Sequence, residues 1–335
     1  MSAIRFRDDP WSALWLPRVA SSPRPPVPSA PSVAADSIRP GSAAAWQVAL
    51  RPKTLWIATI PVFVGTAIAW SVHGAFAAWV ALLALAGAIV VQIITNLQND
   101  VGYTARGAET GRRVGLPRAT AQGWLSPKAV NAAIVVAVLA ALAIAAPLVF
   151  YRDGWVVAIT LASIVAAYAY MGGPRPIAYT PTGEFVVFLF FGLMAVCGTV
   201  YVQAGTVGAA AWIAGTAIGL LAAAVLVVNN HRDSAHDATT GRRTFAVVFG
   251  SRASFRLYLL CTLAPFALAA AIAALARSPW YLLPLLALPR AATLARDLTR
   301  MVPGPAYNAL LFRTVMLEVL FGALLAVGAV FARLY

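Results

Sequence analysis

Apolar and polar positions along this chain separate into long blocks. From residue 54 onward, apolar runs near 20 residues recur between short polar breaks, and a helix of that length crosses a hydrocarbon core about 30 Å thick. The runs lie near 54–72, 75–98, 129–150, 154–171, 184–203, 208–230, 253–275, 279–296 and 310–332. They predict an all-α integral membrane fold of about nine transmembrane helices. Pro284 and Pro289 interrupt the run at 279–296, so the count rests least securely there. Residues 1–45 differ in kind, being dense in Pro, Ser and Ala. This segment reads as a disordered cytoplasmic tail ahead of a single membrane domain at 46–335. It has no apolar core for a signal peptide, and Asp8, Asp9 and Asp36 run against a transit peptide.

Composition agrees with this picture: 61% of residues are hydrophobic and 11% charged, against roughly 25% charged in a soluble domain. The net charge of +14 does not signal nucleic acid binding, because the basic residues are scattered over loops and not interleaved with aromatics on one face. Their distribution orients the chain. With the N-terminus inside, all of the 25 lysines and arginines except Arg152, Arg277 and Arg333 fall on the cytoplasmic side, as the positive-inside rule requires. Cys197 and Cys261 lie within apolar runs and read as small hydrophobic residues.

The candidate chemistry sits where two apolar runs end. The second ends in TNLQNDVGYTARGAE and the sixth in VVNNHRDSAHDATTGRRT. Residues four apart share a helix face, so Asn96 aligns with Asp100, and Asn229 with Asp233 and Asp237. Ionisable groups at a membrane edge are functional candidates, and hard oxygen donors suit Mg2+, which commonly shares its shell with substrate phosphates. Lys53, Arg106, Arg112, Arg113, Arg118, Arg175, Arg242 and Arg243 lie on the same side, and arginine forks match phosphate oxygens. Carboxylates with cations above an apolar bundle suit a ligand with a diphosphate head and a hydrocarbon tail.

Four stretches carry a resemblance to a known family: RPKTLWIATIPVFVGTAIA from Arg51, QIITNLQNDVGYTARGAE from Gln92, GGPRPIAYTPTGEFVVFLFFGLMAVCGTVYVQ from Gly172 and NNHRDSAHDATTGRRTFAVVFG from Asn229. From about Arg51 to the C-terminus the chain resembles the intramembrane aromatic prenyltransferases of the UbiA superfamily, most closely the branch that prenylates 1,4-dihydroxy-2-naphthoate in menaquinone synthesis. The resemblance implies nine transmembrane helices. It also implies transfer of a polyprenyl group from a polyprenyl diphosphate to an aromatic acceptor in the bacterial plasma membrane, with Mg2+ as cofactor. Carried over, Asn96, Asp100, Asn229, Asp233 and Asp237 would hold the metal, with Asp100, Asp233 and Asp237 catalytic. Lys53, Arg118, Arg175, Arg232 and Arg243 would contact the diphosphate. The chain departs from the branch in its first motif, where Val101, Tyr103 and Glu109 stand in place of a further Asp. A phenol, neutral at pH 7, does not replace a carboxylate as a metal ligand.

No side chain declares itself a catalytic base: His231 and His236 lie in the second motif, where a helix-end histidine commonly serves as a local hydrogen-bond partner. Two other classes compete with the enzyme reading. An ion-coupled transporter also places polar motifs in two halves of a bundle, and a non-catalytic relative would bind prenyl lipids through an altered first motif.

Overall fold

The computed structural model describes residues 38–108 and 115–335. Residues 1–37 of the tail expected over 1–45, together with Glu109, Arg112 and Arg113, lie outside the described residues. Residues 39–335 form one compact unit, and its regular elements are helical.

Helix α1 (Ala43–Leu50) starts at Ser42, whose hydroxyl accepts from Ala45 N, so order begins slightly before the domain start expected at 46. Arg51 takes a left-handed conformation, φ 51°, and a 3₁₀ turn at Pro52–Thr54 leads into α2 (Leu55–His73). Then follow α3 (Ala78–Ala105), α4 (Pro127–Tyr151) and α5 (Trp155–Met171). Next, α6 (Gly183–Val187) continues through a π-helical stretch at Phe188–Met194 into α7 (Ala195–Ala204). The second half contains α8 (Ala209–Thr239), α9 (Phe245–Ala276), α10 (Leu288–Arg300) and α11 (Tyr307–Leu334). Among the described residues, seven helical stretches are long and apolar enough to cross a membrane. Helix α5 is apolar but 17 residues long, about 26 Å at 1.5 Å per residue.

The run expected to span at 279–296 is not one straight helix. A 3₁₀ segment at Pro279–Ala287 contains Pro284 and hands over to α10, which buries Ala291, Leu294, Ala295 and Leu298 while exposing Arg290, Arg296 and Arg300. Proline removes an intrahelical donor, and the arginines make α10 amphipathic. The count of nine crossings is therefore not reproduced by length and composition. The two motif helices run further than the apolar blocks did: α3 reaches Ala105 and α8 reaches Thr239, so Asn96–Asp100 and Asn229–Asp237 are helical.

Helix α8 is the hub, packing along α9, α11, α2 and the π-helical stretch. Its contact with that stretch is nearly backbone to backbone. A Cβ on Gly192 would lie 2.4 Å from the Gly215 carbonyl oxygen and 2.4 Å from Gly219 Cα. Small residues allow such approach where no hydrophobic force separates helix from lipid. On the other side α3 packs against α4 and α5, and the space between this group and the α2–α8–α11 group is the cavity described next.

Candidate active site

One cavity of about 510 Å³ is lined by residues of α2 to α8 and α11. Its polar end carries Arg51, Lys53, Arg118, Arg232 and Arg242, with Asn96, Asn99, Asn229 and Asn308. Away from it the wall is apolar, through Ile57, Val91, Phe190, Phe191 and Leu226 to Leu83, Leu148, Val156 and Val202. Leu148, Val156 and Val202 pack with Val80 in a separate apolar cluster, which forms the floor.

The polar end is built largely from two helix faces. On α3, Gln92, Asn96 and Asn99 follow the i, i+4, i+7 spacing of one face, and all three line the cavity. Asn96 Nδ2 donates to the Leu50 carbonyl at 2.8 Å and to Thr54 Oγ1 at 3.2 Å. It thereby ties α3 to the turn that presents Lys53. Gln92 Nε2 donates to Asn96 Oδ1 at 3.1 Å. Among the described residues, Gln92 Oε1 and Asn99 Oδ1 are buried and accept no hydrogen bond.

The three motif aspartates are buried, at 0% exposure for Asp100, 2% for Asp233 and 0% for Asp237. None of them is in the cavity wall itself; each instead holds a basic residue that is. Asp100 accepts from Ala119 N (2.8 Å), Thr120 N (2.8 Å) and Thr120 Oγ1 (2.6 Å), which pins the loop that begins at Arg118. Asp233 takes a two-pronged contact from its neighbour, Arg232 Nε to Oδ1 at 2.8 Å and Nη2 to Oδ2 at 2.7 Å. The rest of that guanidinium donates to Asn229 Oδ1 (2.9 Å) and Asn308 Oδ1 (2.6 Å), joining α8 to α11. Asp237 accepts from Arg242 Nη1 at 2.5 Å, while Arg242 Nε donates to the Ala178 carbonyl at 3.2 Å. Buried charges persist only when paired and hydrogen-bonded in this way.

Of the sequence-derived candidates, Asn96, Asn229, Lys53, Arg118 and Arg232 share the cavity wall, and Asp100, Asp233 and Asp237 stand directly behind it. Arg175 and Arg243 are exposed and lie off the wall. His236 Nε2 pairs with the Ala108 carbonyl at 2.9 Å, and His231 stacks on Tyr307 with ring centroids 5.8 Å apart. Neither histidine lines the cavity. Arg106 is structural, donating to the Met171 and Gly173 carbonyls. Among the described residues no three His, Cys, Asp or Glu side chains form a metal cluster; the oxygen donors at the polar end are largely amides.

The sequence placed Arg242 among the same-side cations without assigning it to the diphosphate, and did not single out Gln92, Asn99 or Asn308. The stripe beginning at Gln92 was visible as helical spacing, whereas Arg242 and Asn308 carry no spacing signal and reach the site only through the fold. Glu184 and Glu318 are buried as well but lie off the wall; Glu184 accepts from Asn230 Nδ2 at 2.8 Å.

Comparison with known proteins bears on this arrangement. The chain is 36% identical over 293 residues to the 1,4-dihydroxy-2-naphthoate octaprenyltransferase of Escherichia coli K12, covering 85% of this chain and 94% of that protein. It is 38% identical over 218 residues to the Mycobacterium tuberculosis protein of the same name, covering 65% of this chain and 74% of the relative. Among solved structures, a UbiA homolog from Archaeoglobus fulgidus bound to GPP and Mg2+ superposes with a TM-score of 0.63 at 16% identity, covering 85% of this chain and 99% of that one. A UbiA homolog from Aeropyrum pernix K1 gives 0.65 at 14% identity, over 81% and 96%. These two likenesses establish the helical fold. The UbiA prenyltransferase family pattern matches residues 58–315, and with the relatives above it shows that this chain belongs to the UbiA prenyltransferase family.

Proposed function

We propose that this protein transfers a polyprenyl group from a prenyl diphosphate to 1,4-dihydroxy-2-naphthoate, giving a demethylmenaquinol. The observation that carries the reading is the polarity of this cavity. Lys53, Arg118, Arg232 and Arg242 stand at one end and an apolar channel leads away from them, matching an anionic head on a hydrocarbon tail. The choice of acceptor rests on the octaprenyltransferase relatives. We also place the N-terminus and the polar end on the cytoplasmic face of a bacterial plasma membrane, on the strength of the arginine and lysine distribution.

In this reading the arginines and Lys53 receive the charge that builds on the departing diphosphate. Preorganised donors in a water-poor site are worth most at that moment. The allylic C–O bond breaks with its electron pair on the diphosphate. A ring carbon of the acceptor bonds the resulting cation, and the acceptor carboxylate leaves as carbon dioxide, returning its electron pair to the ring. The apolar wall keeps water from the cation.

The polar end suits Mg2+ in its donor chemistry: all candidates are hard oxygens, and Gln92 Oε1 and Asn99 Oδ1 are buried acceptors with no donor among the described residues. Asn96, Asp100, Asn229, Asp233 and Asp237 would hold the ion, with waters completing its shell. A carboxylate offers about four lone-pair sites, so the three hydrogen bonds that Asp100 accepts leave room for one more. A bound magnesium ion supplies Lewis-acid stabilisation of the leaving group.

The test is an assay of purified protein with Mg2+, labelled prenyl diphosphate and a panel of aromatic acceptors, scored for pyrophosphate and prenylated product. Dihydroxynaphthoate is expected to be the preferred acceptor. Chelation should reduce turnover to background and added Mg2+ should restore it. Absence of product with every acceptor overturns the reading; preference for another ring reassigns the acceptor alone.

The channel yields a second expectation. Gly198 lines the wall, one helical turn from the floor residue Val202, and a Cβ there would meet Ile159 Cγ2 at 3.6 Å. Alanine fits at this contact distance, whereas leucine fills the channel. Gly198→Leu should lower kcat/KM for long prenyl donors by about tenfold, the order expected of overpacking, while leaving ten-carbon donors nearly unaffected. Competition between donors of two lengths reads this directly.

A further inference from the structure

Tyr103 follows Asp100 by three residues on α3. Its surroundings suit a different task from metal binding. The side chain is 5% exposed and its ring forms part of the cavity wall. Arg118 Cζ lies 4.2 Å from the ring centroid and Arg242 Cζ lies 5.0 Å from it. Both arginines are buried, at 3% and 2% exposure, and both line the polar end of the cavity.

Two cations sharing one aromatic ring in a buried setting repel each other unless something else holds them. Here each is anchored from behind. Asp237 and the Ala178 carbonyl fix Arg242. Asp100 fixes the loop that begins at Arg118 through Ala119 N and Thr120 N. The ring attracts a guanidinium through its quadrupole, most strongly when water is excluded. It does so without adding negative charge. A carboxylate at the same place would pair with one fork in two-pronged geometry and withdraw it from any anion in the cavity.

We propose that Tyr103 is a positioning residue whose ring holds Arg118 and Arg242 as a two-armed clamp on the diphosphate, so that guanidinium charge meets the leaving group at the polar end of the cavity. The inference rests on the prenyl diphosphate reading above and adds to it the division of labour between arginines and metal. It also gives Arg242 a partner in Arg118.

The experiment uses the full-length protein in lipid nanodiscs, with Tyr103→Phe, Tyr103→Leu, Tyr103→Met and Tyr103→Asp. Pyrophosphate inhibition, KM for the prenyl diphosphate, KM for the acceptor and the Mg2+ concentration for half activation are measured for each. Tyr103→Phe keeps the ring and should keep the prenyl diphosphate KM and the pyrophosphate inhibition constant within about twofold. Tyr103→Leu should raise both by about tenfold, as loss of buried cation–π contacts predicts, with the acceptor KM unchanged. Tyr103→Met is longer and unbranched, fills irregular space more adaptably, and gives the same reading if the leucine variant does not fold. Tyr103→Asp should weaken pyrophosphate inhibition and shift half activation to a different Mg2+ concentration. Leucine and methionine variants that bind pyrophosphate as wild type does, or that change both substrate KM values equally, overturn the clamp while leaving the enzyme reading intact. Wild-type protein that neither binds pyrophosphate nor turns over removes the enzyme reading and the clamp with it.

Discussion

Asp233→Ala is expected to lower kcat by about a thousandfold or more, the scale seen when preorganised electrostatic stabilisation of a transition state is removed. The buried pair that Asp233 forms with Arg232 gives the reason. Truncation removes a candidate metal ligand and also leaves the guanidinium short of its countercharge, and breaking a buried pair on one side costs about 3–5 kcal/mol. Arg232 keeps Asn229 and Asn308 as acceptors, so the helix bundle should survive. Asp233→Asn preserves size and one hydrogen-bond acceptor but not the countercharge, so thermal stability should recover in part relative to Asp233→Ala while activity does not. Steady-state kinetics beside a melting temperature in nanodiscs reads both. Retention of more than a tenth of wild-type kcat by the asparagine variant would sink the assignment of Asp233 to the chemistry.

Asp100→Ala should fall nearly as far by a different route. This carboxylate organises a loop, accepting three hydrogen bonds from Ala119 and Thr120, and hydrogen bonds to charged groups contribute about 1.5–3 kcal/mol each. Its loss frees the segment that presents Arg118. We expect turnover to drop by about a hundredfold or more, with a raised KM for prenyl diphosphate. Thr120→Val removes one donor and leaves the carboxylate in place, so its effect should be milder. If Asp100 acts only through the loop, Asp100→Ala will show an unchanged Mg2+ requirement; if it also holds metal, half activation will move to higher Mg2+. Titrating Mg2+ for the two variants distinguishes these, and wild-type kinetics in Asp100→Ala would refute both.

The helices were legible because the apolar blocks are long and their polar breaks short. The polar motifs were legible because spacing of four along a helix is readable without coordinates, as for Asn229, Asp233 and Asp237. The block at 279–296 is not one continuous helix for a physical reason: Pro284 favours a 3₁₀ path, and the arginines of α10 belong to an amphipathic surface. Spacing also aligned Asp100 with Asn96 without revealing that the two side chains serve different masters. Asn96 reaches back to the Leu50 carbonyl and Asp100 across to Thr120. Arg175 and Arg243, carried over as diphosphate contacts, are exposed off the wall, whereas the neighbouring Arg242 is buried against Asp237. Adjacent arginines in one loop look alike in sequence, and only backbone direction decides which one turns inward.

By itself the sequence determined that this is a helical membrane protein, which helix ends carry the chemistry and which family the motifs resemble, since hydrophobic length and helical spacing are local properties of the chain. Only the tertiary structure decided that the aspartates stand behind the wall holding arginines, that Tyr103 lies between Arg118 and Arg242, and that the channel ends at Val156 and Val202. Those outcomes depend on contacts between helices far apart in sequence, and no local pattern encodes which buried charge will meet which partner.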